Sequence, residues 1–325
     1  MEKYSYESNL LSFGRQLSFS GITVSGTEAL KKRRIERVIV SGMGGSGLSG
    51  EIVAAIRTEA NIPVPVESHK TYGIPDGADR KTLLIFSSFS GETEEVLSGI
   101  REATKKRFPV AVVAGGGRLL GIARRKNLPY ATFPREGLTP REAVGYNCYS
   151  VLSLLLARFP HIAVKTFSSA EIKPETLSLQ GKFLSEKIRG KFPVIYSDVK
   201  LRGLLHVWKT NLNETGETFV STECLPEMNH GELAAAGDLK KAVVLFLENS
   251  GSSVKIRNRI TASEKIFKRR GVPVVRIILS GKSLQERMWK GIVLSHWTSF
   301  FVSKRKKIDP KRTEAIESFK KIMGA

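Results

Sequence analysis

Glycine, serine and threonine crowd two short stretches that could together hold an anion. The first is Ser41-Gly42-Met43-Gly44-Gly45-Ser46-Gly47 and the second is Ser87-Ser88-Phe89-Ser90-Gly91-Glu92-Thr93. Glycines let backbone N–H groups approach a ligand closely, hydroxyls add donors, and a helix N-terminus adds a favourable dipole. Each stretch follows an apolar run, Arg37-Val38-Ile39-Val40 or Thr82-Leu83-Leu84-Ile85-Phe86, and precedes a helical pattern. Two such loops at the carboxyl ends of strands in one sheet point to a sugar phosphate in a crevice.

Gly42, Gly44 and Gly47 also satisfy G-x-G-x-x-G, and Glu67 stands where a dinucleotide fold places its ribose-binding carboxylate. The second loop weighs against that alternative, because a dinucleotide site does not ordinarily need the three hydroxyls of Ser88, Ser90 and Thr93. A plainer alternative makes Ser90 an N-cap and the glycines turn formers.

The elements that must position these loops are α/β. Strands are expected at 37–41, 62–67, 82–87, 109–114 and 129–133, with helices at 45–58, 91–107, 117–126 and 138–158. Continuous apolar runs imply strands buried on both faces, hence a parallel sheet. A polar stretch with Pro174 and Glu175 then separates two halves. The second half repeats the theme, with strands near 193–197, 217–222, 242–247 and 273–279 and helices near 199–212, 252–270 and 283–305. Its first loop, Ser197-Asp198-Val199-Lys200-Leu201, lacks the glycine cluster. Asp309-Pro310 marks a further helix start, and a last short helix runs towards Ile322. The reading is two similar α/β domains, 1–160 and 161–325, with phosphate chemistry concentrated in the first.

Composition fits that size. The chain has 325 residues, 41% hydrophobic and 26% charged, as in ordinary globular proteins. It holds no 18-residue apolar stretch and no signal-like N-terminal segment, so no membrane association and a cytoplasmic location are expected. Cys148 and Cys224, outside any C-x-x-C pair, are expected to be buried thiols. The net charge of +21 raises nucleic acid as a partner. Its lysines and arginines are dispersed, at 31–34, 105–107, 124–126, 268–270 and 303–312, without the interleaved aromatics of a stacking platform. Solvated helix ends explain them, and no specific nucleic-acid binding is expected. The positive field would still attract anionic substrates.

Three segments of the second half are polar in ways that a fold does not require: 208–216, 225–232 and 309–320. Joined to the two serine loops and to Arg141, in Thr139-Pro140-Arg141-Glu142-Ala143, they carry S-G-M-G-G-S-G, S-x-S-G-x-T, N-E, L-P-E-x-x-H and a terminal D-P-x-x-T…K in order. This ordered set, spanning nearly the whole chain, resembles the bifunctional phosphoglucose/phosphomannose isomerases of the sugar isomerase (SIS) family. The resemblance implies two three-layer αβα domains, each with a mainly parallel sheet flanked by helices, and a C-terminal helix. It implies that Glu214 is the catalytic base and that His230, sixteen positions on, opens the sugar ring. It places Arg141 beside the developing enediolate and Lys320 in ring opening. Thr313 matches the position associated with accepting mannose as well as glucose phosphate. Gly45, Ser46, Ser88, Ser90 and Thr93 match phosphate and sugar contacts. It also implies a homodimer in which the histidine enters the site from the partner subunit.

These residue types suit the reaction. Aldose–ketose isomerisation opens the ring and moves a proton between C1 and C2 through a cis-enediol. One carboxylate can take and return that proton from one face. A fixed guanidinium can stabilise the enediol oxygens without titrating, and imidazole can shuttle the ring-oxygen proton near neutral pH. No metal or other cofactor is needed. Each residue also has an ordinary explanation: Glu214 a solvated helix-end carboxylate, His230 a satisfied structural histidine, Arg141 a partner of Glu142. Thr313 would serve as an N-cap, and Lys320 as one charge among Lys311, Arg312 and Lys321.

Departures from the family pattern surround the site: Thr215-Gly216 after the base, Glu92 where many relatives carry Asn, and Gly231 after the histidine. They bear on sugar preference more than on reaction type. Three other readings compete. A related isomerase for another phosphosugar would share the loops but not the set of Glu214, His230 and Thr313. A non-catalytic sugar-phosphate sensor would tend to lose Glu214, and a nicotinamide enzyme would give an absorbance change on adding cofactor.

Overall fold

The computed structural model describes residues 4–323, so the outermost three residues of the first expected domain and two of the second lie outside it. The chain divides into two compact units, one running to Glu171 and including Lys321 onward, the other Ile172–Lys320.

The first unit contains α1 (Tyr6–Leu11), β1 (Thr23–Ser25), α2 (Glu28–Lys31), β2 (Arg37–Ser41), α3 (Gly44–Ile56), β3 (Val66–His69) and β4 (Thr82–Ser88). There follow α4 (Glu94–Lys105), β5 (Val110–Ala114), α5 (Gly117–Arg125), β6 (Tyr130–Thr132) and α6 (Val144–Arg158). Six strands form one sheet in the order β1-β6-β5-β4-β2-β3. All neighbours are parallel except β1, which runs antiparallel to β6.

Strand alternation builds the layers, because successive side chains leave a strand on opposite faces. Val38, Val40, Leu83, Ile85, Ala111 and Val113 pack with Val53 and Ile56 of α3 and with Val151, Leu152 and Leu155 of α6. The alternate residues Ile39, Leu84, Phe86, Val112 and Ala114 pack with Val96, Leu97 and Ile100 of α4 and Leu119 and Ala123 of α5. Both sheet faces are therefore covered, as the continuous apolar runs require.

The second unit follows a short helix, α7 (Ser169–Ile172), at the junction. It contains α8 (Pro174–Lys187), β7 (Phe192–Asp198), α9 (Arg202–Glu214), β8 (Ser221–Leu225), β9 (Ala242–Asn249), α10 (Val254–Arg269), β10 (Val274–Leu279) and α11 (Leu284–Lys306). The last element is α12 (Glu314–Met323). Four parallel strands pair in the order β10-β9-β7-β8. On one face, Val194, Tyr196, Val244 and Phe246 pack with Ile260 and Phe267 of α10. Both cysteines are buried thiols.

Five expected elements shift, each for a local reason. The last helix starts at Glu314 instead of at Asp309-Pro310, because Asp309 closes a turn of its own, its carboxylate accepting the Lys311 N–H at 2.9 Å and its carbonyl the Arg312 N–H at 3.1 Å. The polar stretch around Pro174 and Glu175 is no linker but the start of α8, with Pro174 in its first turn, where the missing N–H costs nothing. Leu177, Gly181 and Leu184 line its buried face; such sparse apolar spacing reads as a loop until α11 is there to cover it. Strand β3 starts at Val66 instead of 62 because Pro63 and Pro65 cannot donate to a ladder. Helix α6 starts at Val144 instead of 138 because residues 139–142 form a separate turn. Strand β8 starts at Ser221 instead of 217 because the preceding residues close α9, the Thr218 N–H donating to the Leu212 carbonyl at 2.8 Å.

Gly181 gives a direct test of α8. A Cβ there would meet Trp297 Cβ at 2.5 Å and the Thr298 backbone N at 2.9 Å. On an open helix face, Gly→Ala gains up to about 1 kcal/mol. At this contact Gly181→Ala is expected to reverse sign and cost about 1–3 kcal/mol. Urea unfolding checks it, and a gain in stability would contradict the packing.

Candidate functional site

The chain runs from β2 outwards to β3 on one side and back to β4 on the other, so β2 and β4 flank the point where strand order reverses. Crevices at such points, outside the carboxyl ends of strands, bind ligands in open α/β sheets. Ser41 pairs beside Phe86, which sets the two serine loops side by side. The Phe89 N–H donates to Ser46 Oγ at 2.9 Å and ties one loop to the other.

Helix α3 begins at Gly44, in a left-handed conformation (φ 49°), and no side chain caps its N-terminus. Helix α4 likewise receives no capping bond from the Thr93 side chain. The first N–H groups of a helix lack intrahelical partners, so these ends suit phosphate oxygens. Ser88 is buried; its hydroxyl accepts the Gly91 N–H at 3.0 Å and lies 2.8 Å from Thr93 Oγ1. Ser90 is exposed and its Oγ accepts the Glu92 N–H at 3.1 Å.

Arg141 joins this set. A Cβ on Gly45 would lie 2.6 Å from the Pro140 carbonyl oxygen and 2.9 Å from the Arg141 nitrogen, so the 139–142 turn rests directly on the first loop. The Arg141 side chain is buried, at 1% exposure. Glu142, equally buried, is taken up by the turn itself. It accepts the Thr139 N–H (2.9 Å), the Thr139 hydroxyl (2.7 Å) and Asn9 Nδ2 (2.8 Å). The sequence flagged Glu142 only as a partner for Arg141, and Asn9 not at all; a contact spanning 133 positions leaves no local pattern.

Two acidic residues near these loops have structural work. Glu67 accepts two bonds from the Arg37 guanidinium on the neighbouring strand, which gives it a structural reason to stand at that position. Glu92 accepts the Arg118 N–H at 2.7 Å and its Nε at 2.5 Å. Those bonds hold its carboxyl below the ordinary value, the backbone bond most strongly. The departure at Glu92 thus fastens the start of α5.

In the second unit, Glu214 is the last residue of α9 and is half-buried. Its helix is anchored to α11: Trp208 Nε1 donates to the Gly291 carbonyl at 3.1 Å, and Asn211 Nδ2 donates to Ser295 Oγ at 2.8 Å. His230 closes the short turn Glu227–Asn229, its N–H donating to the Glu227 carbonyl at 2.8 Å. The residue is exposed. Thr313 stands immediately before α12 and donates to Glu317 Oε1 at 3.2 Å. Lys320 lies exposed two turns further on, about 10 Å along the same side of the helix.

The structure thus brings Gly45, Ser46, Ser88, Ser90, Thr93 and Arg141 to one end of the first sheet. Glu214, His230, Thr313 and Lys320 belong to the second unit, on α9, a turn and α12.

Comparison with known proteins agrees in both sequence and fold. Residues 178–323 match the family model for the bacterial phospho-glucose isomerase C-terminal SIS domain. A bifunctional phosphoglucose/phosphomannose isomerase from Thermoplasma acidophilum is 28% identical over 310 residues, covering 94% of this chain and 93% of that protein. One from Aquifex aeolicus is 27% identical, covering 87% and 89%. Among solved structures, a hypothetical protein from Thermus thermophilus superposes with a TM-score of 0.73 at 16% identity, covering 99% of this chain and 91% of that one. The second half of the chain thus carries the C-terminal SIS domain of bacterial phospho-glucose isomerases, and over most of its length the chain is similar to the bifunctional phosphoglucose/phosphomannose isomerases.

Proposed function

We propose that this chain is an aldose–ketose isomerase that interconverts glucose 6-phosphate and mannose 6-phosphate with fructose 6-phosphate. The observation that carries the reading is the pair of serine loops at the strand-order reversal of the first sheet, the first of them packed against the turn that carries the buried Arg141. Two helix N-termini without side-chain caps and several hydroxyls, set side by side, suit a phosphorylated, oxygen-rich substrate. The relatives that cover most of the chain are named for this activity.

In the proposed mechanism, Gly45, Ser46, Ser88, Ser90 and Thr93 hold the phosphate and sugar hydroxyls. His230 and Lys320 open the ring by moving the proton between the ring oxygen and O1. Glu214 removes the C2 proton of the aldose and returns it to C1, while the O2 hydroxyl proton is passed to O1, giving the ketose. Arg141 stabilises negative charge on the enediol oxygens, where a fixed cation is worth more than in water. The exposure of His230 supports its donation to a second copy of the chain, so the proposed assembly is a homodimer working in the cytoplasm.

A coupled assay of fructose 6-phosphate formation from each aldose phosphate, run with chelator present, tests the reaction. Turnover of neither aldose would overturn the proposal. Glu214→Gln is expected to raise the barrier by at least about 3 kcal/mol, a rate loss of a hundredfold or more. Near-normal turnover would remove Glu214 from the mechanism.

Thr313 tests sugar preference. The two aldoses differ only at C2, so one base reaches both C2 protons only if the open chain turns about its C2–C3 bond. That turn needs space and a small hydrogen-bonding residue nearby. Thr313→Gln is therefore expected to lower mannose 6-phosphate turnover far more than glucose 6-phosphate turnover. If Thr313 only starts α12, both activities fall together with a stability loss of about 0.5–2 kcal/mol.

A further inference from the structure

The segment immediately after Glu214 is held by a side chain that no motif marks. Lys306, the last residue of α11, places its ammonium against three oxygens of that segment. It donates to the Gly216 carbonyl at 2.9 Å, the Glu217 carbonyl at 2.6 Å and Thr218 Oγ1 at 2.8 Å. A lysine ammonium has three N–H donors and no acceptor, so all three are used on three consecutive residues.

Those residues need holding. Glu217 adopts a left-handed conformation, φ 40°, without being glycine. Such a residue persists only where its surroundings over-determine it, and such strain gathers at functional sites. The terminal carbonyls of a helix lack intrahelical partners, and cations are favoured beside them. The last turn of α9 is then fastened from two sides. Within the segment, the Thr215 and Gly216 N–H groups both donate to the Asn211 carbonyl and the Thr218 N–H donates to the Leu212 carbonyl. From outside come α11 at Trp208 and Asn211 and, at the end, Lys306.

Taking Glu214 as the base, we infer that Lys306 is a positioning residue: it locks the strained 216–218 segment and so fixes the last turn of α9, from which the Glu214 carboxylate projects. Lys306 acts through the segment it holds, by its bonds to the Gly216 and Glu217 carbonyls and to Thr218. Its effect falls on the proton-transfer step, because a base held loosely spends less time in reach of the C1 and C2 protons while phosphate binding is untouched.

Lys306→Met keeps the aliphatic stem and removes the ammonium; Lys306→Arg keeps a charge with several donors. Steady-state kinetics with both aldose phosphates should show Lys306→Met lowering kcat tenfold or more with KM changed less than twofold, and Lys306→Arg recovering most of the loss. Amide hydrogen exchange should quicken at Thr215, Gly216 and Thr218 in Lys306→Met while the sheet amides stay protected. An unchanged kcat, an equal rise in KM, or unchanged exchange at those three amides would overturn the inference. Wild-type protein that turns over neither sugar would instead sink the isomerase reading, and exchange alone would then decide whether Lys306 anchors the segment.

Discussion

The first unit depends on one close approach, that of Gly45 to the turn carrying Arg141. With 2.6 Å between a Cβ on Gly45 and the Pro140 carbonyl oxygen, any side chain there would push the turn off the loop. Gly42 answers a similar demand on the other side, where its Cβ would sit 2.9 Å from the Ser87 carbonyl oxygen. The two glycines let three backbone segments converge: the loop after β2, the end of β4 and the 139–142 turn. Their convergence seats the turn that carries the buried Arg141 on the start of α3. Glycine is therefore needed for proximity here, beyond any freedom of backbone angle.

A buried guanidinium held this way must be supported by groups that cost little to bury. Glu142 shows how. A carboxylate at 1% exposure is expensive unless its lone pairs are filled, and here three donors from Thr139 and Asn9 fill them. Asn9 also donates to the Gly137 carbonyl at 2.9 Å, so one side chain closes both the carboxylate and the backbone of the turn. The turn owes its shape to a residue from α1, far away in the chain.

The second unit solves a related problem with a helix in place of a turn. Gly291 lets α11 come close to α9, since a Cβ there would lie 2.7 Å from Leu204 Cδ2. Along the same helix, the Gly291 carbonyl accepts from Trp208, Ser295 accepts from Asn211, and Lys306 reaches the end of α9. Helix α11, 23 residues long, is thus a rail against which α9, the helix of the proposed base, is registered at intervals. Helix termini fray because their last groups lack partners; three donors from one ammonium suppress that where precision matters.

Much of this was legible from residue order alone. Long apolar runs at Val38–Val40 and Leu83–Phe86 specify buried parallel strands, because nothing else buries both faces of a strand so completely. Glycine and serine clusters after strands specify tight loops that open helices, and the ordered motifs point to relatives of the same kind, since each rests on local chain geometry or on chemistry that tolerates few substitutes. Only the tertiary structure decided the rest. Helix α8 has too sparse an apolar face to be seen until α11 covers it, and Pro63 and Pro65 delayed β3 by denying the ladder its donors. Glu67 and Glu92 became ion-pair partners only when Arg37 and Arg118 came alongside. Lys306 sits in a Lys-Arg-Lys-Lys run, 304–307, in which every residue looks like solvated charge. A cation's partners are chosen by where the backbone carbonyls end up in space, and sequence spacing carries no record of a contact 90 positions away.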